Sequence, residues 1–189
     1  VTHAAIDGCL DLRAGQLIQD ISAVEIVVDP VTFEVCGHSP APVTGLQAKL
    51  SLHYCAAVAL LDGEVGVGQF SDARLNDESV HRLARRVNIA PDKALSKGQA
   101  RVNIRLEDGS RRSADVKHAR GSLERPLTDA ELDRKFSSLA QSAKYDPETI
   151  TDLMAFCRSV HELPDIGVLA RSLPVTTKKG NGHVEVRFG

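Results

Sequence analysis

The 189-residue sequence has no tryptophan and only two tyrosines and five phenylalanines. So few aromatic side chains cannot form the stacking platform on which proteins bind single-stranded nucleic acid. A basic excess is also missing, because 23 Lys and Arg stand against 25 Asp and Glu. No apolar run approaches the roughly 20 residues of a membrane helix, and no signal peptide precedes the predicted fold. We therefore expect neither nucleic acid nor a membrane as a partner.

Cysteine is scarce and scattered: Cys9, Cys36, Cys55 and Cys157 form no C-x-x-C pair. No His and Cys residues recur at the spacing of zinc ligands, so we predict no metal site and no cofactor. Three of the four lie within apolar runs, which favours reduced core residues over disulfides. The sequence therefore predicts a cytoplasmic protein.

The most informative stretch is Ala48–Gly63, where small and apolar residues cover nearly every side of a predicted helix. Such a helix is buried, and Gly63 provides the left-handed residue that ends it. The polar run Ser51–Tyr54 lies at its start. The glycines of Gly63–Gly68 follow a helix and not a strand, which argues against a nucleotide-binding loop.

The remaining patterns predict an α+β fold of two layers, with a mostly antiparallel sheet, helices packed on one face and further C-terminal helices. The predicted elements are a first helix from Thr2, a strand over Ile21–Val28, a loop over Thr32–Pro42, a helix over Ser71–Val87, strands Ala100–Leu106 and Arg111–His118 around an Asp108-Gly109 turn, a helix opened by a Thr128/Glu131 capping box, a helix over Glu148–Glu162 and a short apolar helix through Leu169. In the Thr128 helix, Leu132, Phe136 and Leu139 are expected to face inward. The tail from 174 to 189 is left open, although His183–Phe188 alternates as a strand does.

Four segments occur in the order typical of one family. They are T-H-A-A-I-D from Thr2, S-L-H-Y-C-A-A-V-A-L-L-D-G from Ser51, V-N-I-R-L-E-D-G from Val102, and R-G-S followed by P-L-T and K-F between Arg120 and Phe136. In this arrangement the chain resembles the C-terminal domain of the MmgE/PrpD family. The resemblance implies a domain over residues 1–140, C-terminal helices over 141–173, and a helical N-terminal domain of the same polypeptide that is absent from this sequence.

The resemblance also implies an activity: a metal-independent lyase of the 2-methylcitrate dehydratase type, acting on a small di- or tricarboxylate by proton abstraction beside a carboxylate. Decarboxylation and epimerisation share that first proton transfer and stay open as alternatives, as does a non-catalytic α+β interaction module. Relatives are commonly homodimers. Without the helical domain, and without the lysine and Y-P-x-C run that precede T-H in the family, we expect little turnover from this segment alone.

The family places His3 and Tyr54 in the active-site region as catalytic residues. An imidazole can move a proton near neutral pH, and a phenol can donate to a developing oxyanion. Ser51 and Lys49 are candidate substrate-binding residues, since either can bind a carboxylate if it faces the cleft. The alternative is that His3 merely caps a helix start and Tyr54 packs beneath it. His53 departs from the family, which usually carries proline there, and a position at the rim of the cleft is favoured for it.

Overall fold

The computed structural model describes residues 1–13, 20–167, 175–178 and 184–187. Its helices are α1 (His3–Arg13), α2 (Pro30–Cys36), α3 (Gly45–Lys49), α4 (Leu52–Asp62), α5 (Asp72–Leu75), α6 (Glu78–Ala84), α7 (Asp129–Ser142) and α8 (Pro147–Arg158). Its strands are β1 (Ile21–Val28), β2 (Val87–Pro91), β3 (Ala100–Leu106), β4 (Arg111–Val116), β5 (Val175–Lys178) and β6 (Val184–Arg187). Two compact units divide the chain, Val1–Asp129 and Ala130–Gly189.

The first unit is built on a four-stranded sheet in the order β2-β1-β3-β4. β1 pairs in parallel with β2 and antiparallel with β3, and β3 pairs antiparallel with β4. Two of the three pairings are thus antiparallel, as predicted. α1 packs on β3 and β4, and α4 packs on α1, α6 and β2. The α+β class is confirmed.

The two faces of the sheet differ in character because side chains alternate along each strand. The inward face carries Val24, Ile26, Val102 and Ile104, which are buried in the core together with the apolar residues of α4. The outward face is polar: the Asn103 side chain donates to Glu25 (2.9 Å) and accepts from Ser113 (2.8 Å). The helices described around this sheet therefore cover its apolar face.

α4 forms as the sequence predicts. Ser51 caps its start, Gly63 ends it with φ of 77°, and every residue from Leu52 to Leu60 is buried. A helix with apolar surface on all sides is stable only inside a core, and this one lies at the centre of the first unit.

Two predicted elements were wrong. The segment Ser71–Val87, predicted as a helix with Asn76 or Asp77 as a possible cap, contains α5, α6 and the first residue of β2. Asp77 does act as a cap, since its side chain accepts from the Ser79 amide and α6 begins there, but Val87–Ile89 alternates between buried and exposed residues as a strand does. The loop predicted over Thr32–Pro42 contains most of α2. Asp29 caps that helix by accepting from the amides of Val31 and Thr32, with Pro30 in its first turn.

The second unit also departs from expectation. None of the α7 residues, all of which the structure describes, is buried: Leu132 is 50% and Leu139 46% exposed, so the predicted inward stripe is wrong. α8 ends at Arg158 and a 3-10 turn covers Val160–Glu162. Cys157 is exposed, contrary to the core position expected for it.

β5 and β6 pair as antiparallel strands, so the alternation predicted for His183–Phe188 does mark a strand over Val184–Arg187. The predicted short helix through Leu169 extends beyond the described residues, which stop at 167 before β5. Within the described ranges, no helix combines the length and apolarity needed to cross a bilayer.

Candidate functional site

His3 is the first residue of α1 and its side chain is exposed. The first turn of α1 is formed by the Ile6 amide, which donates to the Thr2 carbonyl oxygen at 3.0 Å. Thr2 itself is buried. An imidazole in this position is open to approach from outside the first unit.

The start of α4 lies beside the start of α1. The two helices pack on each other, and the Thr2 side chain interacts with the Cys55 thiol. Thr2 directly precedes His3, and Cys55 directly follows Tyr54. The structure therefore brings the two helix starts that carry the predicted catalytic residues into one neighbourhood.

Tyr54 points inward from this neighbourhood. Its side chain is fully buried, and its hydroxyl donates to the Gln69 carbonyl oxygen at 2.6 Å. Burial raises the pKa of Tyr54 to about 12, an increase that nearby Arg74 opposes. The phenol is thus a neutral donor with a partner inside the chain, while His3 faces outward.

A network of charged side chains fixes the position of Gln69, the hydrogen-bond partner of Tyr54. The side-chain amide nitrogen of Gln69 donates to the carboxylates of Asp62 (3.3 Å) and Glu64 (3.2 Å). Arg74 in turn forms an ion pair with Asp62 at 2.5 Å and contacts Asp77. The Gln69 backbone, and with it the Tyr54 ring, is fixed by side chains from the end of α4 and from α5.

Ser51 has a structural role at the start of α4. Its Oγ accepts from the Tyr54 amide at 3.1 Å, and its hydroxyl donates to the carbonyl oxygen of Ser39. The side chain is fully buried. A serine with this geometry satisfies one of the free amides at the helix start and ties a preceding loop to it.

Lys49 is exposed at the end of α3, and its Nζ lies 5.7 Å from the centre of the Phe70 ring. The same ring lies 6.1 Å from that of Tyr54. Phe70 thus connects the two predicted site residues, one on the surface and one below it. Of the four, His3 and Lys49 are accessible and Ser51 and Tyr54 are internal.

Residues 1–154 match the family description "MmgE/PrpD C-terminal domain". The chain belongs to the MmgE/PrpD family. This match extends past both unit 1 and the end of α7, and it confirms the family that the four sequence segments indicated.

Two curated members of the MmgE/PrpD family show the degree of similarity. The cis-aconitate decarboxylase of Homo sapiens is 28% identical over 138 residues, which cover 71% of this chain and 28% of the human protein. The cis-aconitate decarboxylase of Aspergillus terreus is 25% identical over 170 residues, covering 85% of this chain and 34% of the fungal one. The chain thus spans about a third or less of the length of these relatives.

One buried polar side chain in this MmgE/PrpD domain was not predicted as a site residue. His53, in the first turn of α4, is only 9% exposed, and its Nδ1 has no hydrogen-bond partner among the described residues. Burial, and then the charge of nearby His38, lower the pKa of His53. Its position in the polar run Ser51–Tyr54 was the available signal in the sequence.

Groups of three His, Cys, Asp or Glu side chains able to hold a metal ion do not occur in the described part of the chain. The exposed imidazole of His3 lies at the start of α1, beside the start of α4, and the exposed ammonium of Lys49 lies at the end of α3. These groups can move a proton and bind anions.

Proposed function

We propose that this MmgE/PrpD domain is the C-terminal part of an enzyme acting on a small di- or tricarboxylate, with His3 as acid–base catalyst. The observation that carries this proposal is the exposed imidazole of His3 at the start of α1, beside the start of α4. Lys49, exposed at the end of α3, supplies a positive charge suited to a carboxylate.

The chemistry we propose begins with proton transfer. His3 takes a proton from the carbon beside a substrate carboxylate, and the electron pair of that C–H bond forms a carbon–carbon double bond as a hydroxyl leaves the neighbouring carbon. The departing hydroxyl takes up a proton and leaves as water. This is lyase chemistry of the 2-methylcitrate dehydratase type.

Decarboxylation is the alternative that the relatives favour, since those compared above are named cis-aconitate decarboxylases. In that reaction the bond between carbon and carboxylate breaks, carbon dioxide leaves and a proton takes its place. Both routes need a carboxylate-binding group and a proton-transfer group, so the residues above serve either.

The remaining partners belong to the same proposal. A helical domain, expected on the same polypeptide, would close the cleft over His3, and the enzyme would act as a cytoplasmic homodimer. Free thiols at all four cysteines are compatible with a reducing compartment. Light scattering of the complete gene product gives the oligomeric state directly.

Replacement of His3 tests the proposal. The complete gene product is incubated with 2-methylcitrate, cis-aconitate and iminodisuccinate, and the product is measured by chromatography. We expect turnover of one of these acids, reduced about 10²- to 10⁴-fold in His3→Gln, because a positioned acid–base group contributes on that order. His118→Gln is the control, since His118 is exposed in the same unit. Turnover of none of the three acids, or full activity of His3→Gln, would refute the proposal.

The rival function is an interaction module without catalysis. The internal partners of Ser51 and Tyr54 favour it, because a purely structural role suffices for both. It predicts that His3→Gln leaves turnover unchanged while the oligomeric state or partner binding of the complete protein responds to surface substitutions.

A further inference from the structure

Strand β4 forms one edge of the four-stranded sheet, and in the described part of the chain no further strand pairs with its outer side. Its residues Arg111, Arg112, Ser113 and Asp115 are exposed. An edge strand presents a row of N–H and C=O groups that can pair with another strand, and natural proteins usually protect such a row. The open edge of β4 is therefore a surface on which a further strand can be added.

The β3–β4 hairpin determines which backbone groups of β4 are open. The Leu106 amide donates to the Ser110 carbonyl oxygen at 2.9 Å, next to the turn. Hydrogen-bonded and non-hydrogen-bonded pairs alternate along an antiparallel ladder, so Arg111, Ser113 and Asp115 occupy non-hydrogen-bonded positions opposite β3. Their N–H and C=O groups thus point away from β3, and no described loop or turn bonds to them.

The side chains of these three residues are arranged symmetrically in charge about Ser113. Arg111 lies two positions before Ser113 and Asp115 two positions after it, so all three project from the polar face of the sheet. When two β4 strands pair antiparallel with Ser113 opposite Ser113, each Arg111 faces Asp115 of the second copy. Opposite charges and hydroxyl pairs at directly opposed positions stabilise a sheet. The edge of β4 is therefore complementary to itself.

Arg111 also lacks a balancing charge within its own sheet. It lies directly opposite Arg105 of β3, and like charges at opposed positions destabilise a sheet. Asp115 forms an exposed ion pair with Arg101 of β3 at 2.8 Å, but no described carboxylate pairs with Arg111. In the antiparallel arrangement, Asp115 of the second copy supplies the missing negative charge on the side of Arg111 away from β3.

We propose that two copies of this chain associate by antiparallel pairing of their β4 strands about Ser113, which joins the two four-stranded sheets into one continuous sheet. This inference rests on the homodimer of the proposed function and names the surface that forms it. The contact is isologous, as in most homodimers, because the same edge serves both copies. It leaves His3 accessible, since α1 packs against Val102 and Val116 on the opposite, apolar face.

Charge reversal in the complete gene product tests the contact. Arg111→Glu places two carboxylates opposite each other on both sides of the two-fold axis, and Asp115→Arg places two guanidinium groups there. We expect the Kd of each homodimer, measured by analytical ultracentrifugation, to rise about 10- to 100-fold, because two attractive pairs become repulsive. Arg112→Glu is the matched control, because its side chain projects from the other face, and its Kd should stay within about threefold of the wild type.

A mixture of the two variants gives a readout specific to this register. In a heterodimer of Arg111→Glu with Asp115→Arg, the introduced glutamate faces the introduced arginine, and the native Asp115 faces the native Arg111. Native mass spectrometry of the mixture should therefore show mainly the heterodimer. Homodimers of both variants as tight as the wild type, or no preference for the heterodimer, overturn the inference.

A cross-link at the two-fold axis provides the second test, in a Cys157→Ser background because Cys157 is an exposed thiol. Directly opposed Cα atoms of a hydrogen-bonded pair are about 5.5 Å apart, within reach of a disulfide, so oxidised Ser113→Cys should form a covalent dimer. Ser110→Cys should not, since the two copies of Ser110 would lie about 20 Å apart. A dimer that Ser113→Cys does not cross-link overturns the inference but leaves the homodimer. A monomeric gene product removes both, while the His3→Gln experiment still decides catalysis.

Discussion

At the scale of single residues, Tyr54 is the clearest case in which burial decides a role. Its hydroxyl donates to the Gln69 carbonyl oxygen from a fully buried ring. We expect Tyr54→Phe to lower the free energy of unfolding by about 1 kcal/mol, because the half-buried carbonyl loses its donor while the ring still fills the space. Urea unfolding followed by circular dichroism measures this change.

The matched control is Tyr145→Phe, which removes a phenol from the second unit at a half-buried position. That variant should unfold within about 0.5 kcal/mol of the wild type, as substitutions away from buried features do. Equal stability of Tyr54→Phe and wild type would show that the Tyr54 hydroxyl is not held as the structure describes.

The sequence could single out residues of the site but not their partners. His3 and Tyr54 stand in segments with a family order, and Ser51 precedes an apolar helix as a cap does. The acceptor of Tyr54 lies 15 residues later, in a turn without a pattern of its own. The bond from the Ser51 hydroxyl to the Ser39 carbonyl oxygen joins residues 12 positions apart, and no local rule predicts it.

At the scale of elements, the contact of α1 with the sheet depends on a residue without a side chain. A Cβ added to Gly8 would lie 2.7 Å from Val102 Cγ2 in β3. Alanine favours helix over glycine by roughly 1 kcal/mol, but overpacking of a core typically costs 1–3 kcal/mol, and the Val102 methyl group is itself fully buried. We expect Gly8→Ala to be destabilised by about 1–2 kcal/mol, seen as a lower Tm.

Gly68→Ala provides the comparison for that prediction. A Cβ at Gly68 meets nothing within 4 Å, and the residue lies in the 3-10 turn Gly68–Phe70. The Tm of Gly68→Ala should equal or slightly exceed that of the wild type, since alanine reduces the conformational entropy of the unfolded chain. A Gly8→Ala variant as stable as Gly68→Ala would mean that α1 can move away from β3 without loss.

Elements with strong local periodicity were predicted, and those that share residues with a neighbour were not. β3, β4 and the Asp108-Gly109 turn follow from alternation and turn chemistry. Asp29-Pro30 both ends β1 and starts α2, so its interpretation as a strand end hid the helix. β2 is five residues long and follows α6 closely, and the apolar positions of the two merge into one apparent helical stripe.

At the scale of the whole molecule, the α+β class was predictable because a hairpin with one apolar face needs a cover and α4 is apolar on all sides. The order of the sheet was not. β2 lies at its edge and pairs in parallel with β1, and the paired residues are 63 positions apart in the sequence, as in Val24 with Val87. Such a pairing is decided by tertiary packing, since β2 becomes stable only when Val87 and Ile89 meet the core.

The core of the first unit makes the molecule sensitive to alkali. Burial raises the pKa values of Cys9 and Cys55 from 9.0, and that of Tyr54 from 10.0, each to about 12. These groups keep their protons in the folded state at a pH where the unfolded chain loses them. Their contribution to stability is therefore complete below about pH 9 and is lost as the pH rises toward 12.

Urea unfolding at pH 7, 9 and 10.5 measures that loss of stability. Substitution of single cysteines then shows which thiol causes it. Cys9 alone should contribute a fall of up to about 1.4 kcal/mol for each pH unit above 9, the value of one proton released on unfolding. Cys9→Ala begins less stable, because it leaves a small cavity, but its free energy of unfolding should fall less steeply with pH. Cys157→Ala should keep the wild-type slope, since Cys157 is exposed. Equal slopes in all three proteins would place the Cys9 thiol within reach of solvent, and the packing of α1 against α4 would then be looser than the structure describes.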